Sequence, residues 1–272
     1  MCVAGVMSCA AASAAYLSAV EVHLRKPVRR LDGDARAVVA CIFRESGSNE
    51  TGLEIFFILR AFDPKKSRWS GQVGFPGGHV ESGETDAEAV VREVHEEVGL
   101  HLKSGHYQFL GELEQRYVSN SSGSRLVLCC HVFKQLEREI PSRVQVKEVA
   151  ACGWAPFHSL TTDAYVKSLT WSSALTKNVN DMEQEENKIN DQMNHQYKNK
   201  FPSILLPIEK DIIVAAHDVT ESFIRSKFVL WGLTLGLLND FLLSTKARSY
   251  PIDRSLLATI EEKIETSYPS AL

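Results

Sequence analysis

The chain of 272 residues has no apolar run long enough to cross a bilayer. Its longest, Phe228 to Leu238, is about half of the roughly 20 residues that a membrane helix needs. It also lacks cysteines at zinc-ligand spacing: the six stand at 2, 9, 41, 129, 130 and 152. The length argues against a disulfide scaffold. Cys129 and Cys130 fall in an apolar run, so buried, reduced thiols and a reducing compartment are expected. Charge of one sign is lacking too, since 30 Lys and Arg face 34 Asp and Glu, a net −4. That balance gives no support to a broad nucleic-acid-binding surface. No charged residue precedes Glu21. A secretory signal sets positive charge ahead of its apolar stretch, and a mitochondrial presequence carries arginines along its helix. The first 20 residues have neither, and Ala10 to Leu24 reads as a packing helix ahead of Pro27. The closing Ser270-Ala271-Leu272 partly resembles the Ser-Lys-Leu peroxisomal address but lacks the positive middle residue. An intracellular, cytoplasmic protein is expected, with mitochondrion and peroxisome as alternatives. The 44% hydrophobic and 24% charged content is ordinary for a globular chain.

What is present divides into strands, one informative helix and a polar insertion. Arg36 to Phe43, Glu54 to Arg60, Gln108 to Gln115, Leu126 to Phe133 and Val149 to Trp154 are apolar runs that read as strands. Ser46 to Gly52 and Ser119 to Gly123 are turn signals. Cys129 and Cys130, adjacent in a strand, point to opposite faces. Strands around one central helix, with helices segregated by sequence, fit an α+β domain. Residues 176–200, rich in Asn, Gln, Glu and Lys, bury too little to offset chain ordering and read as a disordered insertion, with a charged helix as the alternative. Asp218 to Lys246 reads as one helix, apolar nearly all round and buried across the sheet, with Trp231 in the core. The chain divides into a helical extension at 1–33, a domain at 34–245 and a tail at 246–272.

Residues 78–100 carry the chemistry. Thr85 and Glu88 form a capping box, Glu84 and Asp86 place negative charge near the helix start, and Gly99 stands where a left-handed cap is expected. At about 100° per residue, Ala87, Val91, Val94 and Val98 form an apolar stripe with Val90 on its margin. Glu93, Glu96 and Glu97 gather roughly 130° away, with small Ala89 between them in projection. Three acids at this spacing repel one another in a bare helix. A divalent cation, Mg²⁺ or Mn²⁺, explains them, because hard cations take oxygen ligands. A solvated acidic face is what such a cluster would mean without its flanks.

With its flanks the stretch resembles the Nudix box, Gly-x5-Glu-x7-Arg-Glu-U-x-Glu-Glu-x-Gly-U, where U is bulky and aliphatic. Gly78, Glu84, Arg92, Glu93, Val94, Glu96, Glu97, Gly99 and Leu100 fill all of its defined positions. The resemblance implies a Nudix fold, a mixed central sheet sandwiched between helices with a loop-helix-loop box, and a catalytic set of Glu93, Glu96, Glu97 and Arg92. Glu93 and Glu97 resemble the main metal ligands, and Glu96 a further ligand or a water-positioning carboxylate. Arg92 resembles the arginine that orients the cluster through the residue at Glu84; Glu88, four residues before it, is a competing partner. A carbonyl near Gly77 or Gly78 would complete the metal site.

The box implies hydrolysis of a small nucleotide, and its flanks narrow the substrate. Gly71-Gln72-Val73-Gly74-Phe75-Pro76-Gly77-Gly78 resembles a segment of coenzyme A diphosphatases, and Trp231-Gly232-Leu233-Thr234 resembles one near that group's C-terminus. Lys66-Ser67-Arg68 departs from the group's pattern, its arginine displaced by one. Arg60 and Arg68 are candidate phosphate clamps; strand-end and loop arginines are the plain alternative. Trp69 reads as a loop tryptophan packing on its own domain, with adenine stacking as the alternative. Glu148 reads as structural, with a role toward metal or water as the alternative. The expected function is metal-dependent cleavage of coenzyme A or acyl-coenzyme A. The alternatives are oxidised deoxynucleoside triphosphates or dinucleotides as substrate, and an idle ligand-binding module. Oligomeric state is not legible.

Overall fold

The computed structural model describes residues 9–46, 52–62, 69–118, 124–138, 141, 143–170, 200–208, 212–215, 220–253 and 256. Arg68, the Ser119 to Gly123 turn and all but the last residue of the 176–200 insertion lie outside these. The chain runs α1 (Cys9–Leu24), β1 (Ala35–Glu45), β2 (Leu53–Arg60), β3 (Val73–Gly74), β4 (Gly77–His79), α2 (Asp86–Val98), β5 (Tyr107–Glu112), β6 (Arg116–Val118), β7 (Leu126–Gln135) and β8 (Val149–Pro156). It continues with α3 (His158–Thr161), β9 (Val166–Thr170), β10 (Lys200–Leu205), β11 (Ile213–Val214), α4 (Glu221–Lys227), β12 (Val229–Leu230) and α5 (Gly232–Ser244).

Among the described residues, a nine-stranded mixed sheet has the order β11-β8-β2-β1-β7-β5, with β3 on β2, β4 on β1 and β6 on β7. β1 and β7 are parallel and the other pairs are antiparallel. Period-two alternation sorts each central strand between two cores. Val38, Ala40, Ile42, Phe56, Ile58, Val127 and Cys129 pack with α2. Cys41, Phe43, Ile55, Phe57, Leu128 and Cys130 pack with α1 and α5 on the other face. Cys129 and Cys130 therefore do face opposite ways, and Cys41 and Cys152 are buried free thiols like them. Burial pushes Cys129, Cys130 and Cys152 up to about 12, which keeps them protonated and unreactive at neutral pH. This is the α+β architecture that the apolar runs indicated, with the mixed sheet between helices that the resemblance implies.

Two expected elements break. The Gln108 to Gln115 strand ends at Glu112, and a separate β6 starts at Arg116; both pair with β7, with a register shift between Phe109 and Gly111. Asp218 to Lys246 is not one helix. Val229 and Leu230 pair with Leu205 and Ile204, so α4 and α5 are separated by a strand of a second, three-stranded sheet. Trp231 follows in extended conformation as the residue before α5, half-buried against Phe201 at 5.1 Å rather than in the core. Apolar content alone does not distinguish a buried helix from a short strand. α5 is nonetheless mostly buried, through Leu235, Leu237, Leu238, Phe241 and Leu242. Thr170 and Lys200, which flank the undescribed 171–199, are direct partners in the β9–β10 ladder. Beyond α5 the chain stays attached. Asn239 exchanges hydrogen bonds with both backbone groups of Ile252 at 3.0 Å, and the buried Arg248 reaches Asp163. No helix among the described residues is long and apolar enough to cross a membrane.

Candidate active site

The ends of α2 form as its sequence requires. The Thr85 hydroxyl accepts from the Glu88 N–H at 3.2 Å, and the Glu88 carboxylate accepts from the Thr85 N–H at 3.0 Å. Gly99 closes the helix at φ 71°, its N–H donating to the His95 carbonyl. The helix is rolled differently from the expected stripe. Ala89, Val90, Val94, Glu97 and Val98 are buried, Val91 is half-buried and Ala87 is exposed. The buried arc is turned by about 65° from the predicted one on a helix of 3.6 residues per turn. Ala89 is therefore core rather than a gap beside a ligand. The valines still meet β1 and β7. The roll brings Glu97 inward, where partners from outside the helix hold it.

The three carboxylates consequently sit in three environments. The Glu97 side chain is 1% exposed, that of Glu93 15% and that of Glu96 58%. Glu97 Oε2 accepts from the Gly77 N–H at 2.8 Å, and Oε1 lies 3.5 Å from the Arg60 guanidinium. Burial raises its pKa to about 8; Arg60 and the Gly77 amide oppose the rise, and Glu93 and Glu148 reinforce it. Glu93 is also raised, chiefly by burial, with Arg92 opposing and Glu96 and Glu148 adding. Its carboxylate lies directly over Gly78, where a Cβ would stand 2.4 Å away. Among the described residues no three His, Cys, Asp or Glu side chains converge into a ready-made cage. The donor set of Glu93 and Glu97 nevertheless suits a hard divalent cation. Both are oxygen donors at a half-open edge, and both are resisted as bare anions, a cost that a cation offsets.

Arg92 organises the outer edge. It holds Glu84 in a fork, with Nε and Nη2 each 2.9 Å from an oxygen, and reaches Glu93 at 2.9 Å, Glu96 at 3.3 Å and the His79 carbonyl at 3.0 Å. Glu88 is not its partner, because the capping box engages that carboxylate. Arg92 fixes Glu93 in place, so Arg92→Ala is expected to lower kcat/KM by about 10–100-fold, the usual effect of losing a group that orients a ligand. Melting temperature should change little, since Arg92 lies at the surface edge. An activity loss matched by unfolding would refute the orienting role.

One residue that the sequence left to its lesser alternative gains weight, and one feature escaped the sequence. Glu148 reads as structural by position, yet its charge acts on both Glu93 and Glu97. The β2–β8 ladder brings it there by setting Arg60 opposite Val149, and the Glu148 carbonyl accepts from the Ala61 N–H at 2.8 Å. Its place at the start of a strand that pairs with the strand of Arg60 was the only available signal. The second is a cleft of about 190 Å³, lined by Arg60, Gly77 and Gly78 at the acidic site and by α5 side chains beyond. Trp69 also lines it and packs partly buried against the core.

The family model for the NUDIX domain matches residues 33–173, and the chain belongs to that family. An uncharacterised protein of Schizosaccharomyces pombe is 32% identical over 108 residues, 39% of this chain and 32% of that protein. The 8-oxo-dGTP diphosphatase of Escherichia coli is 41% identical over 64 residues, 24% of this chain and 46% of the enzyme. The matched regions thus span from about a third to just under half the length of these relatives. Among solved structures, a C. elegans Ap4A hydrolase complex aligns with 46% of this chain and 81% of its own at 17% identity, with a TM-score of 0.37.

Proposed function

We propose that this chain is a divalent-metal-dependent diphosphatase acting on a nucleoside diphosphate linked to another moiety, with coenzyme A or an acyl-coenzyme A as substrate. The observation that carries the reading is a fully buried carboxylate, Glu97, which feels the charge of Glu93 and is held by Gly77 and Arg60, two residues that line the cleft. Glu93 and Glu97 would hold Mg²⁺ or Mn²⁺, with Glu96 on the solvent side as a further ligand or a water-positioning group. When bound, the cation offsets phosphate charge and lowers the pKa of an attacking water. Arg60 binds a phosphate oxygen, joined by Arg68, and the backbone at Gly77 and Gly78 lies beneath the diphosphate. Water adds its oxygen to one phosphorus, and the bond from that phosphorus to the bridging oxygen breaks. The bridging oxygen leaves with the other phosphate. We assign the released proton to Glu148, the exposed carboxylate whose charge acts on both buried neighbours. The products are 3′,5′-ADP and 4′-phosphopantetheine or its acyl form.

The flanking segments around Gly71 and Trp231 support this substrate, and the diphosphatase named among the relatives agrees with the chemistry. The same relative favours the second reading, hydrolysis of oxidised deoxynucleoside triphosphates or dinucleotides. The four buried free thiols support a reducing compartment such as the cytoplasm. The test is incubation of purified protein with Mg²⁺ and coenzyme A, ADP-ribose, NADH or 8-oxo-dGTP. Coenzyme A is expected to release 3′,5′-ADP at least tenfold faster than the others react. Turnover of 8-oxo-dGTP alone would move the assignment to the second reading, and turnover of none would leave a ligand-binding module.

A further inference from the structure

The cleft beside Glu93 and Glu97 changes character along its length. Arg60, Gly77 and Gly78 line the end at the carboxylates. The wall beyond is aliphatic, built from Val118 of β6, Leu126 and Leu128 of β7, and Leu233 and Leu237 of α5. At about 190 Å³ the space falls below the roughly 300–1,000 Å³ of sites that enclose a whole drug-sized ligand. It therefore suits one group of a substrate, directly beside the phosphates.

The lining narrows what that group is. A nucleobase gains most from an open aromatic face, but Phe75 is stacked on Phe57 at 5.2 Å within the core, and Trp69, which also lines the cleft, is half-buried against that same core. A ribose brings several hydroxyls, each costly to desolvate unless paired. Gln72 and His79, the lining's other polar side chains, stand next to Arg60 and Gly78 at the phosphate end, so among the lining residues of β6, β7 and α5 only Thr234 carries a polar side-chain group, its hydroxyl. It stands 3.5 Å from where a Cβ on Gly74 would be. We propose that this pocket takes the short, branched aliphatic arm esterified to the diphosphate, and that Leu233, Leu237, Val118, Leu126 and Leu128 select substrates by that arm. This rests on the reading of the site as a coenzyme A diphosphatase. In coenzyme A the ester CH₂ is followed at once by a carbon bearing two methyl groups, and then by a carbon bearing one hydroxyl. The methyl groups fill the aliphatic wall, and the hydroxyl pairs with Thr234.

Dephospho-coenzyme A and ADP-ribose share the ADP half and differ only in the other arm, so their comparison isolates the pocket. With Mg²⁺, the unmodified protein is expected to favour dephospho-coenzyme A by at least tenfold in kcat/KM. Leu233→Gln, at a half-buried position, is expected to reduce that preference about tenfold, the scale set by one aliphatic contact. The change should fall mainly on KM. Leu126→Thr serves as a second variant, also at a half-buried position. Product inhibition gives an independent readout: inhibition by 4′-phosphopantetheine should weaken in both variants far more than inhibition by 5′-AMP. A folded variant with an unchanged preference and unchanged inhibition would overturn the pocket and leave the diphosphatase reading standing. Preference of the unmodified protein for ADP-ribose would also overturn it. Turnover of neither substrate would overturn the reading of the site, and the pocket with it.

Discussion

Glu97→Gln is expected to lower kcat/KM on the order of 10³-fold, equivalent to about 4 kcal/mol of transition-state stabilisation, while the protein stays folded. Glutamine keeps the volume of the side chain and can still accept the Gly77 N–H, so packing survives. It loses the anionic oxygen that faces Arg60 and would hold the cation. The same substitution has a signature that requires no substrate. In the metal-free protein the folded-state pKa of Glu97 is raised to about 8 from the ordinary 4.5. The folded state therefore binds more protons than the unfolded state between these values. The stability linked to this group is fully present below pH 4.5 and is lost as pH rises through about 8. Glu93, raised as well, acts in the same direction. Metal-free Glu97→Gln should therefore be more stable to unfolding than the unmodified protein at pH 8, by an amount on the order of a few kcal/mol, and should melt higher. At pH 4 the difference should be small. Taking the difference between the two proteins cancels other titrations, including that of His131, whose pKa burial lowers. Added Mn²⁺ should stabilise the unmodified protein more at pH 8 than at pH 6, and the variant far less. Parallel melting curves across this range, or undiminished turnover, would remove Glu97 from the site.

Gly77→Ala is expected to have the largest effect on stability of any single methyl addition at the site. Gly77 has φ 147°, outside the range of ordinary side-chain-bearing residues. A Cβ there would stand 2.1 Å from the Val38 carbonyl oxygen and 2.7 Å from Val39 Cα. Both are backbone atoms of β1, paired with β4 through Val38↔Gly78 and Val39↔Gly77. Neither can move without breaking that register, so strain and overpacking add. Their sum is about 3 kcal/mol or more, which corresponds to a fall in melting temperature of roughly 6 °C or more for a domain of this size. Gly83→Ala separates the two causes. Its φ is 84° but nothing lies within 4 Å of the added carbon, so it should cost only about 1–2 kcal/mol. Gly78→Ala gives a third contrast. The atoms it meets belong to the Glu93 carboxylate, which can swing aside, so activity should fall more than stability. Equal melting of Gly77→Ala and Gly83→Ala in calorimetry would show that close approach to β1 is not what requires glycine at 77.

The site was legible where its signals are local. Thr85, Glu88 and Gly99 mark the ends of α2 because capping depends on residues three or four apart. The Glu84–Arg92 fork was expected from the family resemblance alone, since local spacing four residues apart offered Glu88 as a competing partner. The strands show as apolar runs, and alternation predicted that Cys129 and Cys130 would part. The roll of α2 was not legible. The predicted and the buried arcs share Val94 and Val98; Ala87 and Val91 on one side are as apolar as Ala89 and Val90 on the other, and partners elsewhere in the chain decide between them. The break at Val229 and Leu230 was hidden for a similar reason, since it depends on a ladder with residues some 25 positions earlier.

The sequence alone therefore determined that a capped helix would carry three glutamates into a Nudix box within an α+β domain, because those features rest on spacing along one segment. Only the tertiary structure decided which glutamate is buried, which arginine meets it and what lines the space beside it. Arg60, Gly77 and Glu97 lie on three separate elements, and the aliphatic wall adds α5 from more than 100 residues further on. Such neighbours are brought together by packing on both faces of one sheet, and no local pattern of residues encodes the distance between them.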